Sequence, residues 1–175
     1  PDGLAYSDES AIRSSLGMLE RGADAIYSLT HSLQRIAAMA DQKVPVIGHV
    51  GYVPYHANWM GPPRAIGKTS AEALEVYRAV KALERAGAFA VEMELVPHRE
   101  AAEIARRTSL CVISMGSGTG CDAQYLFAED ILGTNRGHVP RHAKTYRNLA
   151  AEYDRLRGMM TEAFTASTGS YTTAM

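Results

Sequence analysis

Apolar positions along the chain fall into two patterns that take turns, a helical spacing of three and four and short unbroken runs. Ile12, Leu16 and Leu19 follow Ser7-Asp8-Glu9, a capping sequence, and Gly22 stops that helix. Residues 23–28 follow as a short strand, and Leu33, Ile36, Ala37 and Ala40 mark a second helical face. Residues 44–50 form an apolar run of the kind a buried parallel strand makes, ending in Gly48-His49-Val50-Gly51. The loop 51–68 is rich in proline and glycine and carries Tyr52 and Trp59. A loop of that length is uncommon unless it is functional, for example as a lid. Thr69-Ser70-Ala71-Glu72 reads as a capping box before Leu74, Tyr77, Val80 and Leu83, and Gly87 closes that helix. A strand over 88–95 leads to Pro97, well placed to start a helix through Ala101, Ile104 and Ala105. A fourth strand, 110–115, ends in Gly116-Ser117-Gly118-Thr119-Gly120, and Asp122 is placed to cap a helix carrying Leu126 and Ile131. The last helix is predicted over about 143–165. There Tyr146, Leu149, Tyr153, Leu156, Met160 and Ala163 form a heptad-like seam, packed on its own domain or on another subunit. The tail, 166–175, is small and polar and is expected to be flexible.

Strand and helix thus alternate about four times, which predicts α/β architecture built from parallel βαβ units. Four such units plus a C-terminal helix are half of an eight-stranded (β/α)8 TIM barrel. An open doubly wound sheet shares the alternation, so periodicity does not choose between them. Pro1-Asp2-Gly3 reads as a loop leaving an earlier strand. The expectation is therefore that residues 1–165 are the C-terminal part of a single barrel domain whose N-terminal strands lie upstream. Half a parallel barrel has two open edges, so stable folding is expected to need the missing strands, covalently or as a separate chain.

Composition narrows the class without changing this picture. The chain has 175 residues, 46% hydrophobic and 21% charged, an ordinary globular balance. A net charge of −1 gives no reason to expect nucleic acid or a membrane surface as partner. Two cysteines, Cys111 and Cys121, make no disulfide framework, which fits a reducing compartment. No apolar run approaches the roughly 18 residues of a membrane span, and no signal-peptide pattern opens the chain, so a cytoplasmic location is expected.

The candidate chemistry sits at strand ends, which converge on one face in parallel α/β folds. His49 ends the second strand, and Glu92 and Glu94 alternate onto one side of the third. A carboxylate buried at such a mouth has its pKa raised, which suits a general base. The amides of the 116–120 loop, at Ser117 and Gly118, are candidates for holding a carboxylate or phosphate, although a tight turn accounts for the glycines equally well. The loop is neither a GxGxxG fingerprint nor a Walker motif. Arg64 and Lys68 are candidates for steering an anionic substrate. His31, His56, His98, His138 and His142 follow no metal-ligand spacing, neither cysteine is in a CxxC pair, and Ser114 and Ser117 lack a nucleophile elbow. No metal ligand is assigned within the chain.

Six segments occur in order: Gly22-Ala-Asp-Ala25, Val44-Pro-Val-Ile-Gly-His-Val-Gly51, residues 82–90, Glu94-Leu-Val-Pro97, Gly116 to Gln124, and Gly137-His-Val-Pro-Arg141. Together they resemble the ketopantoate hydroxymethyltransferase family, within the phosphoenolpyruvate mutase/isocitrate lyase superfamily. The resemblance covers about residues 3–163. It implies a (β/α)8 barrel and a cytoplasmic homo-oligomer of pantothenate biosynthesis. It further implies a divalent metal, usually Mg2+, a 2-oxo acid substrate, and 5,10-methylenetetrahydrofolate as co-substrate. It implies Glu94 as catalytic base and His49 as the active-site histidine, with the metal-binding aspartates upstream of Pro1. The chain departs from the family pattern where a lysine and a glutamate are implied, since Tyr27 and Leu29 stand there, and Glu129 stands at an implied histidine. A folate-independent C–C lyase or decarboxylase of the same superfamily, and a non-catalytic paralogue, are the alternative readings.

Overall fold

The structure is a computed structural model that describes residues 7–29 and 32–172, with side chains as far as 168. The predicted turn at residues 1–3, His31 and the last residues of the tail, 173–175, lie outside the described residues. The chain divides into two compact units, residues 1–125 and 126–175.

The first unit is a parallel sheet with helices between its strands. Helix α1 (Asp8–Glu20) starts where Ser7 accepts from the Ser10 amide. It is followed by β1 (Ile26–Tyr27), α2 (Leu33–Asp41) and β2 (Val46–Gly51). The loop predicted over 51–68 holds a 3-10 turn (Pro54–His56) and the single-turn helix α3 (Ala57–Met60). Then come α4 (Ser70–Arg85), β3 (Ala90–Glu94), α5 (His98–Ala105), β4 (Cys111–Met115) and β5 (Ala123–Gln124). All four strand pairings are parallel, and the strand order is β1-β2-β3-β4-β5.

That order resolves the ambiguity left by periodicity. A doubly wound sheet reverses its strand order at a switch point, whereas a barrel adds each strand beside the last. The order here is strictly sequential, so the α/β expectation holds in its barrel-like form. A fifth strand joins the four predicted, short and exposed, with Ala123 and Gln124 opposite Ile113 and Ser114.

The core lies between the sheet and its helices. Val46, Val50, Val91, Met93 and Val112 from the strands meet Ala11, Ile36, Met39, Val80 and Ile104 from the helices, all at most 5% exposed. Thr69 caps α4 by accepting from the Glu72 amide. The Glu72 carboxylate turns back to the amides of Gly67 and Lys68, which fastens the end of the long loop to the helix.

Asp122 does not cap a helix. Its carboxylate accepts from the Val112 amide at 2.7 Å, the strand position beside β5. The following helix, α6 (Ala128–Leu132), begins after Phe127 with no side-chain cap and leaves Leu126 outside it.

The second unit holds α6 and the long α7 (Leu149–Thr172). Gly133 ends α6 in the left-handed region, where a Cβ would come within 2.0 Å of the Arg147 carbonyl oxygen. Asn135 donates to Asp130 at 2.6 Å and to the His138 carbonyl at 3.1 Å, and Arg136 makes a bidentate pair with Asp154. Helix α7 starts later than predicted and runs on to Thr172, into the stretch predicted as tail. Its seam is uncovered: Tyr153, Leu156 and Met160 are 59%, 42% and 73% exposed. Among the described residues no helix is long and apolar enough to cross a membrane.

Candidate active site

Three neighbouring strands bring four polar side chains to one place. His49 on β2 is in register with Glu92 on β3, and Gly51 with Glu94. Alternation turns His49 to one face of β2, and Glu92 and Glu94 to one face of β3. Tyr27, on the short edge strand β1, reaches across to His49. The chain bends sharply just beyond. Gly51 has φ +85°, and a Cβ there would lie 2.1 Å from the Glu94 carbonyl oxygen, so this approach requires glycine. Leu95, directly after Glu94, holds a left-handed φ of +53°.

The hydrogen bonds set the state of the imidazole. His49 Nε2 lies 2.9 Å from the Tyr52 carbonyl oxygen, which can only accept, so Nε2 carries the proton. The other ring nitrogen, Nδ1, lies 2.5 Å from the Tyr27 hydroxyl. Glu94 Oε2 sits 3.3 Å from Nε2, on the ring's protonated side. The His49 side chain is 3% exposed and that of Glu94 12%.

Glu92 is the odd member. It is 5% exposed, and its Oε1 has no hydrogen-bond partner. Burial raises its pKa above the ordinary carboxylate range. The neighbouring His49 and a hydrogen bond from Tyr27 partly offset this, and the charge of Glu94 adds to it. Burial likewise pushes the Tyr27 phenol up, with Glu92 and Glu94 contributing. One ligand atom from each of His49, Glu92 and Glu94 lies within 4.8 Å of the others, donor chemistry that fits a divalent cation.

The other candidates lie elsewhere. The Ser117 hydroxyl is fully used, accepting from the Val96 amide at 2.9 Å and donating to the Met93 carbonyl at 2.8 Å. It clamps the loop after β4 onto the end of β3. Gly118 packs against α5, where a Cβ would meet His98 at 2.6 Å, and its carbonyl accepts from Gln124. Arg64 pairs with Glu72 at 2.9 Å, more than half exposed, and anchors the long loop to α4. A groove of about 870 Å³ between α4 and α5 is lined by Lys68, Tyr77, Arg99 and Arg107, and no member of the cluster lines it. The structure therefore joins His49 to Glu94 and leaves Ser117, Gly118 and Arg64 outside the cluster. It adds Tyr27 and Glu92. The strand alternation of Glu92 and Glu94 was the one sequence signal for Glu92, and the signal for Tyr27 was its place where the resemblance implies a lysine.

A sequentially ordered parallel sheet with acid–base groups at the carboxyl ends of its strands defines a barrel-type α/β enzyme class. A model of the family described as ketopantoate hydroxymethyltransferase matches residues 3–165, and the chain belongs to that family. Among its relatives are 3-methyl-2-oxobutanoate hydroxymethyltransferases from Enterococcus faecalis, Acetivibrio thermocellus and Chloroflexus aurantiacus. The first is 39% identical over 69% of this chain and 44% of its own length. The second is 38% identical over 67% and 41%, and the third 38% over 84% and 53%. The chain thus spans about half the length of the curated relatives it matches. A solved structure described as a lyase/mutase from Burkholderia cenocepacia J2315 is similar in fold. Its TM-score is 0.50 at 16% identity, over 70% of this chain and 51% of that one.

Proposed function

We propose that this chain carries the acid–base centre of a metal-dependent hydroxymethyltransferase acting on a 2-oxo acid, with methylenetetrahydrofolate as one-carbon donor. The observation that carries the reading is the contact of Glu94 with His49 at the ends of adjacent strands, 3.3 Å apart and almost sealed from water. Family membership supports the reaction class. The exposed seam on α7 supports a homo-oligomer, and membership of a biosynthetic enzyme family supports a cytoplasmic location.

Glu94 is the base. Its carboxylate takes the proton from C3 of the 2-oxo acid, leaving an enolate. C3 then forms a bond to the methylene carbon of the folate, and both C–N bonds of that carbon break in turn. The two folate nitrogens take up the protons from C3 and from water, and the water oxygen completes the hydroxymethyl group, leaving tetrahydrofolate. His49 donates from Nε2 on the side where Glu94 sits, so it orients that carboxylate and meets oxygen charge as it develops. Tyr27 and the Tyr52 carbonyl hold the ring in this orientation. With Glu94 serving as base, His49 and Glu92 are the members of the cluster that would hold a divalent cation. Such an ion, when bound, supplies polarisation of the 2-oxo group.

The test is exchange of the C3 proton of 3-methyl-2-oxobutanoate into D2O. Glu94→Gln is expected to slow exchange by about 10²–10⁴-fold, the usual worth of a positioned base. Exchange that persists unchanged in this variant overturns the base assignment. A requirement for tetrahydrofolate in product formation separates the transferase from a folate-independent lyase.

A further inference from the structure

The cluster carries two carboxylates, and the partners that the described residues give them are an imidazole and a phenol. An anionic 2-oxo acid brought beside Glu94 would meet a site in which, among the described residues, no Lys or Arg pairs with either carboxylate. Glu92 sharpens the problem, because its buried Oε1 has no partner. A carboxylate oxygen taken out of water and left unpaired is costly, and it marks a place where something positive belongs.

The imidazole indicates how that ion is met. Histidines that bind metals through one nitrogen generally donate the other N–H to a backbone carbonyl or a carboxylate. His49 shows this arrangement, with Nε2 against the Tyr52 carbonyl and the Glu94 carboxylate. The other nitrogen, Nδ1, faces the Tyr27 hydroxyl. Glu92 is in register with His49 on the neighbouring strand.

We propose that His49 Nδ1 and Glu92 are the two protein ligands, within this chain, of a divalent first-row transition ion of the Mn2+, Co2+ or Zn2+ class. The ion displaces the Tyr27 hydroxyl from Nδ1, and Glu94 stays off the metal, on the other ring nitrogen. This deepens the function proposed above and rests on it only for what fills the remaining coordination positions, water or the paired oxygens of a 2-oxo acid. An imidazole in the donor set favours such ions over Mg2+, which prefers oxygen ligands.

The experiment is titration of the purified full-length, metal-stripped protein with Co2+ alone, followed by the visible d–d absorption of the bound ion. One equivalent is expected to bind, Glu92→Gln and His49→Gln each weakening it by about tenfold or more, and Glu94→Gln by less than about threefold. Equimolar Mg2+ is expected not to displace it. Wild-type affinity in Glu92→Gln overturns the proposal, as does a loss in Glu94→Gln equal to that in Glu92→Gln, displacement by equimolar Mg2+, or no binding at all. Should Glu92→Gln fail to fold, Tyr27→Phe decides, since uncovering Nδ1 is expected to tighten Co2+ binding, and unchanged or weaker binding overturns the assignment. Proton exchange is measured in parallel. Loss of exchange in Glu94→Gln leaves the function standing whichever way the metal titration falls.

Discussion

Two glutamates at opposite ends of the same sheet show what separates a carboxylate that builds a fold from one that serves a site. Glu84, at the end of α4, lies beside the residues that lead into β4. Its Oε1 accepts from the Ser109 amide at 2.6 Å, the Ser109 hydroxyl at 2.7 Å and the Thr108 hydroxyl at 3.1 Å, and Lys81 pairs with it. The Lys81 contact first, then the Ser109 bonds, hold its carboxyl down at about 2. Glu92, near the carboxyl end of β3, is more deeply buried, has an oxygen with no partner, and is raised by that burial. The first carboxylate is satisfied by its surroundings. The second is held ready for something that binds.

The contrast can be broken by substitution. The largest effect is expected at Glu84. Glu84→Ala removes the shared acceptor of Ser109 and Thr108 and is expected to cost about 1–3 kcal/mol at neutral pH, read from denaturant unfolding. The sign with pH follows from linkage: a carboxylate depressed in the folded state stabilises above its unfolded pKa near 4.5, and that stability is lost as pH falls toward about 2. Wild type and variant should therefore converge in acid. A constant difference across that range would mean that Glu84 acts through packing rather than charge.

Glu92→Gln should go the other way. Its folded-state pKa is raised, so ionising it opposes folding above about pH 4.5, and the penalty fades as pH falls through the raised value. In the metal-free protein the neutral amide is expected to stabilise at neutral pH by on the order of 1 kcal/mol, with the gain disappearing in acid. A loss of stability at neutral pH would make Glu92 a structural group like Glu84 and erase the contrast.

The smallest effect is expected at Arg64. Its exposed pair with Glu72 is screened by solvent and contributes little to stability. Arg64→Ala should change thermal stability little and leave the KM for the 2-oxo acid within about twofold. A large rise in KM with unchanged kcat would bring Arg64 into the substrate site from its place on the loop.

Much of the frame was legible in the sequence because buried parallel strands are apolar runs bounded by glycine. Val46–Gly51, Ala90–Glu94 and Cys111–Met115 all fall within or close to their predicted spans. The misses share a cause. Ala123–Gln124 is short, polar and exposed, so pairing alone makes it a strand. Asp122 looked like a helix cap, because an Asp beside a turn satisfies a strand amide as readily as a helix amide. For the site, period-two alternation put Glu92 and Glu94 together, while the meeting with His49 and Tyr27 depends on inter-strand register. The Ser117 amide looked available in a glycine-rich turn, and only the fold shows that it donates to the Ser114 hydroxyl while the Ser117 hydroxyl is spent on Met93 and Val96.

The sequential strand order has a consequence for how the first unit forms. Every pairing in the sheet joins strands that are consecutive in the chain, so each closure spans only the segment that connects two neighbouring strands. The entropy lost in closing such loops grows only slowly with their length, and none of these pairings waits for a distant segment. A nascent chain leaving the ribosome could therefore lay each strand against the one before it, in the order of synthesis. The Tyr27–His49–Glu92–Glu94 constellation would be assembled once β3 docks, well before α7 is made.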